Sequence, residues 1–250
     1  MALLPAALPP ESLHPALWYG HQLGRAAAAA VASGFEALDV HLPGRGWPRR
    51  ALTELMLPHP GVGEIRLLAP SLAAAQRDGR LVMLFDPPAP LSAWALTQLG
   101  LDMEQLLVVN TRARVIPGSD SLWAFEQALK SGHVGALVAW LPARLRTERL
   151  RRLQIAAHAH DGAAFVMREL AAAQRPSAAP LRLALRAAGP DRLAVRLLKR
   201  RGPPLETPVV LDLAPVLSAT ARQRALALVP SAAEPVERPL PAATFVNLAA

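Results

Sequence analysis

The 250-residue sequence contains no cysteine, few aromatic residues and almost no lysine. The absence of cysteine excludes disulfide bonds, thiolate zinc sites and cysteine nucleophiles. Aromatic residues make up 4% of the chain. The tryptophans mostly fit core or turn positions, so a surface that stacks successive nucleic-acid bases is not indicated. They are Trp18, Trp47, Trp94, Trp123 and Trp140. No apolar run reaches the roughly 20 residues of a membrane-spanning helix, and the start, MALLPAALPP, lacks the basic region of a signal peptide. We therefore expect a cytoplasmic protein without a membrane span.

Arginine supplies nearly all of the positive charge. The chain has 27 basic residues, only two of which, Lys130 and Lys199, are lysines, and its formal net charge is +8. Arginine binds phosphates and carboxylates well because its planar group donates two hydrogen bonds at once. The charge favours an acidic partner or nucleic acid. The alternative, that a GC-rich genome explains the arginine content, stays open.

Predicted strands and helices alternate through the middle of the chain, as in a parallel sheet that is covered on both faces. Hydrophobic residues make up 52% of the chain, enough for a sizeable core. The pattern predicts a three-layer α/β sandwich with a mostly parallel sheet and a C-terminal antiparallel hairpin. Strands are predicted over 51–57, 80–85, 106–110, 134–141, 163–167 and 209–213, with the hairpin over 181–187 and 193–199. Helices are predicted over 65–77, 92–99, 122–131 and 145–160.

Three regions are predicted along the chain. Residues 1–32 form an N-terminal arm with one helix over 11–25, and residues 33–213 form the core. Residues 214–250 form a mobile tail rich in proline and alanine, with one helix near 219–228.

A glycine-rich turn follows the first core strand, where phosphate-binding loops occur in nucleotide-binding proteins. Such loops end in Gly-Lys-Thr/Ser, in which the lysine and the hydroxyl bind the phosphates and magnesium. Here Gly61-Val62-Gly63 is followed by Glu64 and Ile65, so a negative charge and an aliphatic group take those two places. An active ATPase site also needs a glutamate that activates water and an aspartate at the end of a later strand. Here Pro87 and Pro88 follow Asp86 where the glutamate is expected, and Trp140 lies near the place of the aspartate. We therefore predict a degenerate nucleotide site without ATPase activity or cofactor.

Two places in the sequence carry residue types that can bind metals. His158, His160 and Asp161 lie close in the sequence. Residues that are two positions apart on a helix, such as His158 and His160, do not share a face. We therefore favour the end of a surface helix over a metal site. Asp86 is read as a strand-end residue, with metal binding as the alternative.

Two basic segments and one apolar segment are candidates for contacts with partners. The helix over 145–160 directs Leu150, Leu153 and Ala157 to the core and arginines outward. The hairpin alternates arginines with inward aliphatic residues. Exposed arginines suit an acidic protein surface or DNA phosphates, and an ordinary solvated face is the alternative. The candidate contact residues are Leu13, Leu17 and Trp18 in the arm, Arg144, Arg146, Arg149, Arg151 and Arg152 in or next to the helix, and Arg182, Arg186, Arg196, Lys199, Arg200 and Arg201 in or next to the hairpin.

The order of motifs over about 33–213 resembles the core of RecA-type recombinases. The residues that carry this likeness are Ser33, Leu38, Asp39, Gly44, Gly46, Pro48, Arg49 and Glu54. The segments GWPRRALTELM, EQALKSGHVGALVAWLP, LRRLQIAAHA and LAVRLLKRRGP are similar to the ImuA family, RecA-like accessory proteins of bacterial mutagenic translesion synthesis. The shorter SulA family of cell-division inhibitors resembles the same core at 139–141 and 165–168.

The resemblance to ImuA implies a non-catalytic adaptor in SOS-induced translesion DNA synthesis. Its implied partners are ImuB, an inactive Y-family polymerase homologue, an error-prone C-family polymerase, and RecA. Weak DNA binding is a further expectation. Two alternatives remain: a SulA-like inhibitor that binds the division GTPase FtsZ, and a residual nucleotide-binding ATPase. The basic hairpin favours ImuA, because the SulA family is shorter and does not need it.

Overall fold

The computed structural model describes residues 30–111, 119–142, 144–202 and 204–227. The strands in these residues are β1 (Ala30–Val31), β2 (Trp47–Pro48), β3 (Leu52–Leu57), β4 (Leu81–Phe85), β5 (Leu106–Val109), β6 (Val134–Trp140), β7 (Ala163–Glu169), β8 (Leu181–Ala187), β9 (Arg192–Lys199) and β10 (Val209–Asp212). The helices are α1 (Glu36–Asp39), α2 (Glu64–Arg77), α3 (Ala93–Gln98), α4 (Ser119–Lys130), α5 (Thr147–Ala157) and α6 (Ala219–Ala227), with a 3₁₀ helix at Leu170–Gln174.

Eight of the strands form one sheet in the order β10-β9-β8-β3-β7-β6-β4-β5. The neighbours from β8 to β5 are all parallel, and β9 and β10 are added antiparallel at one end. The predicted α/β class, the mostly parallel sheet and the antiparallel hairpin are therefore confirmed. β1 and β2 form a separate antiparallel pair.

Helices pack on both faces of the sheet because its central strands are apolar on both sides. Every residue of β3 and β6 is buried. One hydrophobic cluster joins α2 and α3 to one face through residues such as Leu72 and Leu96. A second cluster joins α4 and α5 to the opposite face through Phe125 and Leu153. The carboxyl ends of the parallel strands lie together at one edge of the sheet, between the two layers of helices. In sheets of this kind ligands bind at that edge.

The chain divides into two compact units at Val216 and Leu217. The described part of the second unit contains α6, which confirms the helix predicted near 219–228. The predicted helix over 11–25, with Leu13, Leu17 and Trp18, and the tail beyond residue 227 lie outside the described residues. Among the residues described, no helix has both the length and the apolar character to cross a membrane.

Candidate functional site

The glycine turn between β3 and α2 is closed by its own glutamate. The Glu64 carboxylate accepts hydrogen bonds from the Gly61 N–H at 2.8 Å (Oε1) and 3.1 Å (Oε2), and from the Gly63 N–H at 3.2 Å. The residue is only 4% exposed. Backbone N–H groups at a helix N-terminus are the donors that bind phosphate in nucleotide sites. Here a carboxylate of the same chain occupies them, so Glu64 competes directly with an anion as well as repelling it.

Gly63 has a conformation that this closure requires. It precedes α2 with φ of 113°, a left-handed value that glycine adopts without strain. A Cβ at this position would lie 2.8 Å from Leu213 Cδ1. The turn therefore needs glycine for its backbone shape and for its packing, independently of any phosphate.

An apolar cleft of about 340 Å³ lies beside the closed turn. Glu64, Ile65 and Arg66 line one part of it, and Trp140 at the end of β6 lines another. The lining is completed by Pro60, Gly61, Gly63, Pro88, Ala89, Pro90, Leu91, Ser92, Ala95, Leu96, Leu99 and Val216. The Arg66 guanidinium is bound to Asp191 at 2.7 Å and to the Leu213 and Ala214 carbonyls. The structure thus brings together the predicted residues Gly61, Gly63, Glu64, Ile65 and Trp140.

Asp86 organises the end of β4 through hydrogen bonds. It has φ of 49° and is buried. One carboxylate oxygen accepts from the Thr111 N–H at 2.7 Å, and the other accepts from the Thr111 and Ser121 hydroxyls. These contacts connect the end of β4 to the residue Thr111 that follows β5 and to the first turn of α4, which agrees with the strand-end interpretation. Within the described ranges, no group of three or more histidine or acidic residues could hold a metal ion.

The arginine helix α5 has the predicted division into two faces. Leu150, Leu153 and Ala157 are buried, while Arg144 and Arg146 before the helix and Arg149, Arg151 and Arg152 within it are exposed. Arg152 is bound to Glu126 of α4 at 2.7 Å, and Lys130 binds the same carboxylate at 2.7 Å. These contacts lower the pKa of Glu126, with the Lys130 hydrogen bond as the largest cause.

The β8–β9 hairpin confirms the predicted alternation with one correction. Leu183, Leu185, Val195 and Leu197 are buried, and Arg186, Arg196, Lys199 and Arg201 are exposed. Arg200 is partly buried and donates to the His41 carbonyl, and Lys199 donates to the Ser177 carbonyl at 2.9 Å. Arg182, however, is buried, so its prediction as a surface contact is wrong.

Arg182 belongs to an ion cluster in the centre of the sheet. Glu54 on β3 is fully buried and accepts from Arg182 Nε at 2.7 Å and from Arg168 at 3.0 Å. Arg182 lies directly across from Glu54 in the register, and it also donates to the Ala172 and Ala173 carbonyls. The 3₁₀ helix that carries those carbonyls covers this end of the hairpin. A lone glutamate in the apolar strand LTELML was the signal that could have revealed the cluster.

Two tryptophans and one histidine also differ from expectation. Trp94 and Trp123 were assigned to the core or to turns, but they are 58% and 61% exposed. His160 was assigned to a surface helix end, but it is fully buried, while His158 is exposed at the end of α5. Burial lowers the pKa of His160 to about 4. Asp161 instead pairs with Arg49 and Arg50.

The geometry defines a class: an α/β protein with a largely parallel sheet whose glycine turn is closed by a carboxylate of its own chain. Residues 52–165 match the family model described as cell division inhibitor SulA. This segment includes the turn, most of the cleft and α5, and it ends before the hairpin.

The sequence is also similar to individual RecA and SulA proteins. RecA of Chlorobaculum parvum is 31% identical over 141 residues, which cover 50% of this chain and 40% of that protein. SulA of Yersinia enterocolitica is 32% identical over 105 residues, or 42% of this chain and 60% of that protein. SulA of Photorhabdus laumondii is 29% identical over 103 residues, or 41% and 55%. The chain therefore spans between about two fifths and three fifths of these curated relatives. The resemblance to the RecA and SulA families is confirmed, and the RecA-like, SulA-related ImuA family fits these matches.

Proposed function

We propose that this protein is a non-catalytic, RecA-like adaptor in SOS-induced mutagenic translesion DNA synthesis. It acts through contacts with ImuB and an error-prone C-family polymerase, and RecA is a further partner. Its core has kept the shape of an ATPase-related sheet and lost the chemistry of phosphate binding.

The observation that carries this proposal is the closed glycine turn. Glu64 binds the N–H groups of Gly61 and Gly63, and Ile65 stands where a magnesium-binding hydroxyl is needed. A bound triphosphate would have to displace a buried carboxylate from its hydrogen bonds and then approach a like charge. A single unit-charge pair at ~4 Å is worth about 4 kcal/mol at an effective dielectric near 20, so both effects oppose binding.

Nucleotide binding is tested by titrating the full chain with a fluorescent ATP analogue and magnesium. We expect no saturable binding in the micromolar range. The comparison variant is Gly63→Arg, which fills the turn, and circular dichroism checks that this variant is folded, because Gly63 also has a left-handed φ and packs close to Leu213. Micromolar binding by the unmodified chain that Gly63→Arg abolishes would show that the site is functional, and the non-catalytic assignment would then be wrong.

The adaptor assignment is tested by co-purification from cells that express the full chain with tagged ImuB or tagged FtsZ. We expect a stable complex with ImuB and none with FtsZ. Because both baits are tested against the same chain, the measurement separates the two leading functions directly.

A SulA-like cell-division inhibitor is the second candidate, and the family match over 52–165 favours it. The hairpin and β10 lie beyond that match, and this extension supports the adaptor over the inhibitor. Inhibition of FtsZ polymer sedimentation at equimolar ratios of this chain would establish the second candidate instead.

Weak DNA binding is a further part of the proposal. Arg186 and Arg196 occupy the same exposed face of the hairpin, where a phosphate backbone has access to both. We expect salt-sensitive binding to a DNA duplex that weakens when Arg186 and Arg196 are both changed to Glu. Binding that is unaffected by this charge reversal would exclude the hairpin as the contact.

A further inference from the structure

The outer face of α4 and α5 carries two highly exposed apolar side chains among cations. Trp123 on α4 is 61% exposed, and Ile155 on α5 is 60% exposed. Lys130, Arg149 and Arg152 are exposed on the same two helices. We call these five residues the α4–α5 face. Tryptophan and arginine are the residue types that most often dominate binding energy at protein interfaces.

Helix periodicity and one ion pair place these residues together. Trp123 and Lys130 are seven residues apart, so they share one side of α4, with Glu126 between them. Ile155 lies one turn after Arg152 on α5, and Arg149 lies one turn before it. The ion pair between Glu126 and Arg152 connects the row of residues on α4 to the row on α5.

The direction of the helices sets the spacing of the apolar residues. Each helix leads into a strand of the same parallel sheet, so α4 and α5 run parallel to each other. Trp123 precedes the Glu126–Arg152 level by one turn, and Ile155 follows it by one turn. The two side chains are therefore offset by about 10 Å along the helix pair, close to the separation of residues i and i+7 on another helix.

The charge of the face selects the partner. Glu126 is neutralised by Lys130 and Arg152, and Arg149 has no ion-pair partner in the described part of the chain. A partner helix that carries carboxylates beside two apolar residues complements both features. Electrostatic complementarity steers such a contact, and burial of the apolar residues stabilises it.

We propose that the α4–α5 face docks an acidic amphipathic helix of a protein partner. This inference gives the adaptor function proposed above one of its contact surfaces, and it rests on that function. DNA is the competing ligand, but a phosphate backbone uses the cations and leaves Trp123 and Ile155 without a role.

The probe is a fluorescein-labelled synthetic helix of about 18 residues, or five turns, with leucines at i and i+7 flanked by glutamates. Its anisotropy is measured on titration with the full chain. A sister peptide with lysines in place of the glutamates and a DNA duplex are the comparison ligands. We expect micromolar binding of the acidic peptide and no binding of the lysine peptide.

We expect each of three variants to bind the acidic peptide about tenfold more weakly, which is a loss of about 1.4 kcal/mol in binding free energy. These variants are Trp123→Ala, Ile155→Ala and Arg149→Glu. Trp94→Ala is the matched control, because Trp94 is equally exposed but lies on α3, and it should bind as the unmodified chain does. All four side chains are at the surface, so circular dichroism should show folded protein in every case.

Three results would overturn the proposal: no acidic-peptide binding at about 500 µM, an unchanged affinity in Trp123→Ala, or an equal loss in Trp94→Ala. Displacement by the DNA duplex together with insensitivity to Trp123→Ala would assign the face to nucleic acid. The co-purification with ImuB tests the proposed adaptor function independently of the peptide measurements. If the peptide results hold and no ImuB complex forms, the surface stands and the proposed function fails.

Discussion

Removal of the buried charge of Glu54 should destabilise the protein severely. Glu54 holds two guanidinium groups, Arg168 at 3.0 Å and Arg182 at 2.7 Å, and the side chains of all three are at least nine-tenths buried. Glu54→Gln keeps the shape and one acceptor oxygen, but it leaves two buried cations without a counter-charge. The loss of one partner from a buried ion pair costs about 3–5 kcal/mol.

This cost is a large part of the stability of a domain, which is typically about 5–15 kcal/mol. For a protein of this size each kcal/mol lowers Tm by about 2–4 °C, so we expect a Tm about 6–20 °C lower. The assay is urea unfolding followed by tryptophan fluorescence, together with calorimetry.

Glu126→Gln is the matched control, because Glu126 also binds two cations at 2.7 Å. Its partners Lys130 and Arg152 are 48% and 58% exposed, so water solvates them when the carboxylate is lost. We expect a change within about 1 kcal/mol. If the free energy of unfolding of Glu54→Gln is also within about 1 kcal/mol of that of the unmodified chain, the reasoning about uncompensated buried charge is refuted.

Two further predictions concern pH and the glycine turn. Because burial lowers the pKa of His160 from 6.5 to about 4, the unfolded chain binds the proton more readily between these values, and stability should fall as pH drops through this window. The loss should reach about 3 kcal/mol near pH 4; His160→Gln should flatten the unfolding free energy against pH, whereas His158→Gln should not, and equal profiles for the two would contradict the assignment. Glu64→Ala should lower stability by about 1–3 kcal/mol because it removes the charged hydrogen bonds that the carboxylate accepts from the N–H groups of Gly61 and Gly63, and pyrophosphate should recover part of the Tm. Glu148→Ala, which removes another acidic residue from a first helical turn, should show neither effect. If pyrophosphate leaves the Tm of Glu64→Ala unchanged, the turn contains no anion site that Glu64 covers.

Much of the fold was predictable because each strand and helix has a local pattern. The strand over 80–85 and the helix over 65–77 were placed to within a residue of β4 and α2. The helix predicted over 92–99 begins at Ser92, and the Ser92 hydroxyl caps α3 by accepting from the Ala95 N–H. Apolar runs, capping residues and glycines act over a few residues, so the sequence alone identifies them.

The candidate site was predictable only in part. The residues around the turn were identified from their order, and the structure brings Gly61, Glu64 and Trp140 to one cleft. The hydrogen bonds of Glu64 to the turn were missed, because a motif shows which residue replaces the lysine but not where its side chain folds. The interpretation of Trp123 as a core or turn residue was wrong, because only the packing of α4 on α5 decides which side of the helix faces water.

The sequence by itself determined the order of the elements and the absence of the lysine and hydroxyl that phosphate chemistry requires. Tertiary structure alone decided where each charge resides. Arg182 and Arg186 lie four residues apart on one strand with the same alternation, yet one is buried against Glu54 and the other faces water. The difference arises because the 3₁₀ helix covers only one end of that strand and supplies carbonyls to Arg182. Burial of a charged residue requires polar partners. The partners of Arg182 come from other elements of the fold, Glu54 on β3 and the 3₁₀ helix, so the local pattern of β8 does not reveal them.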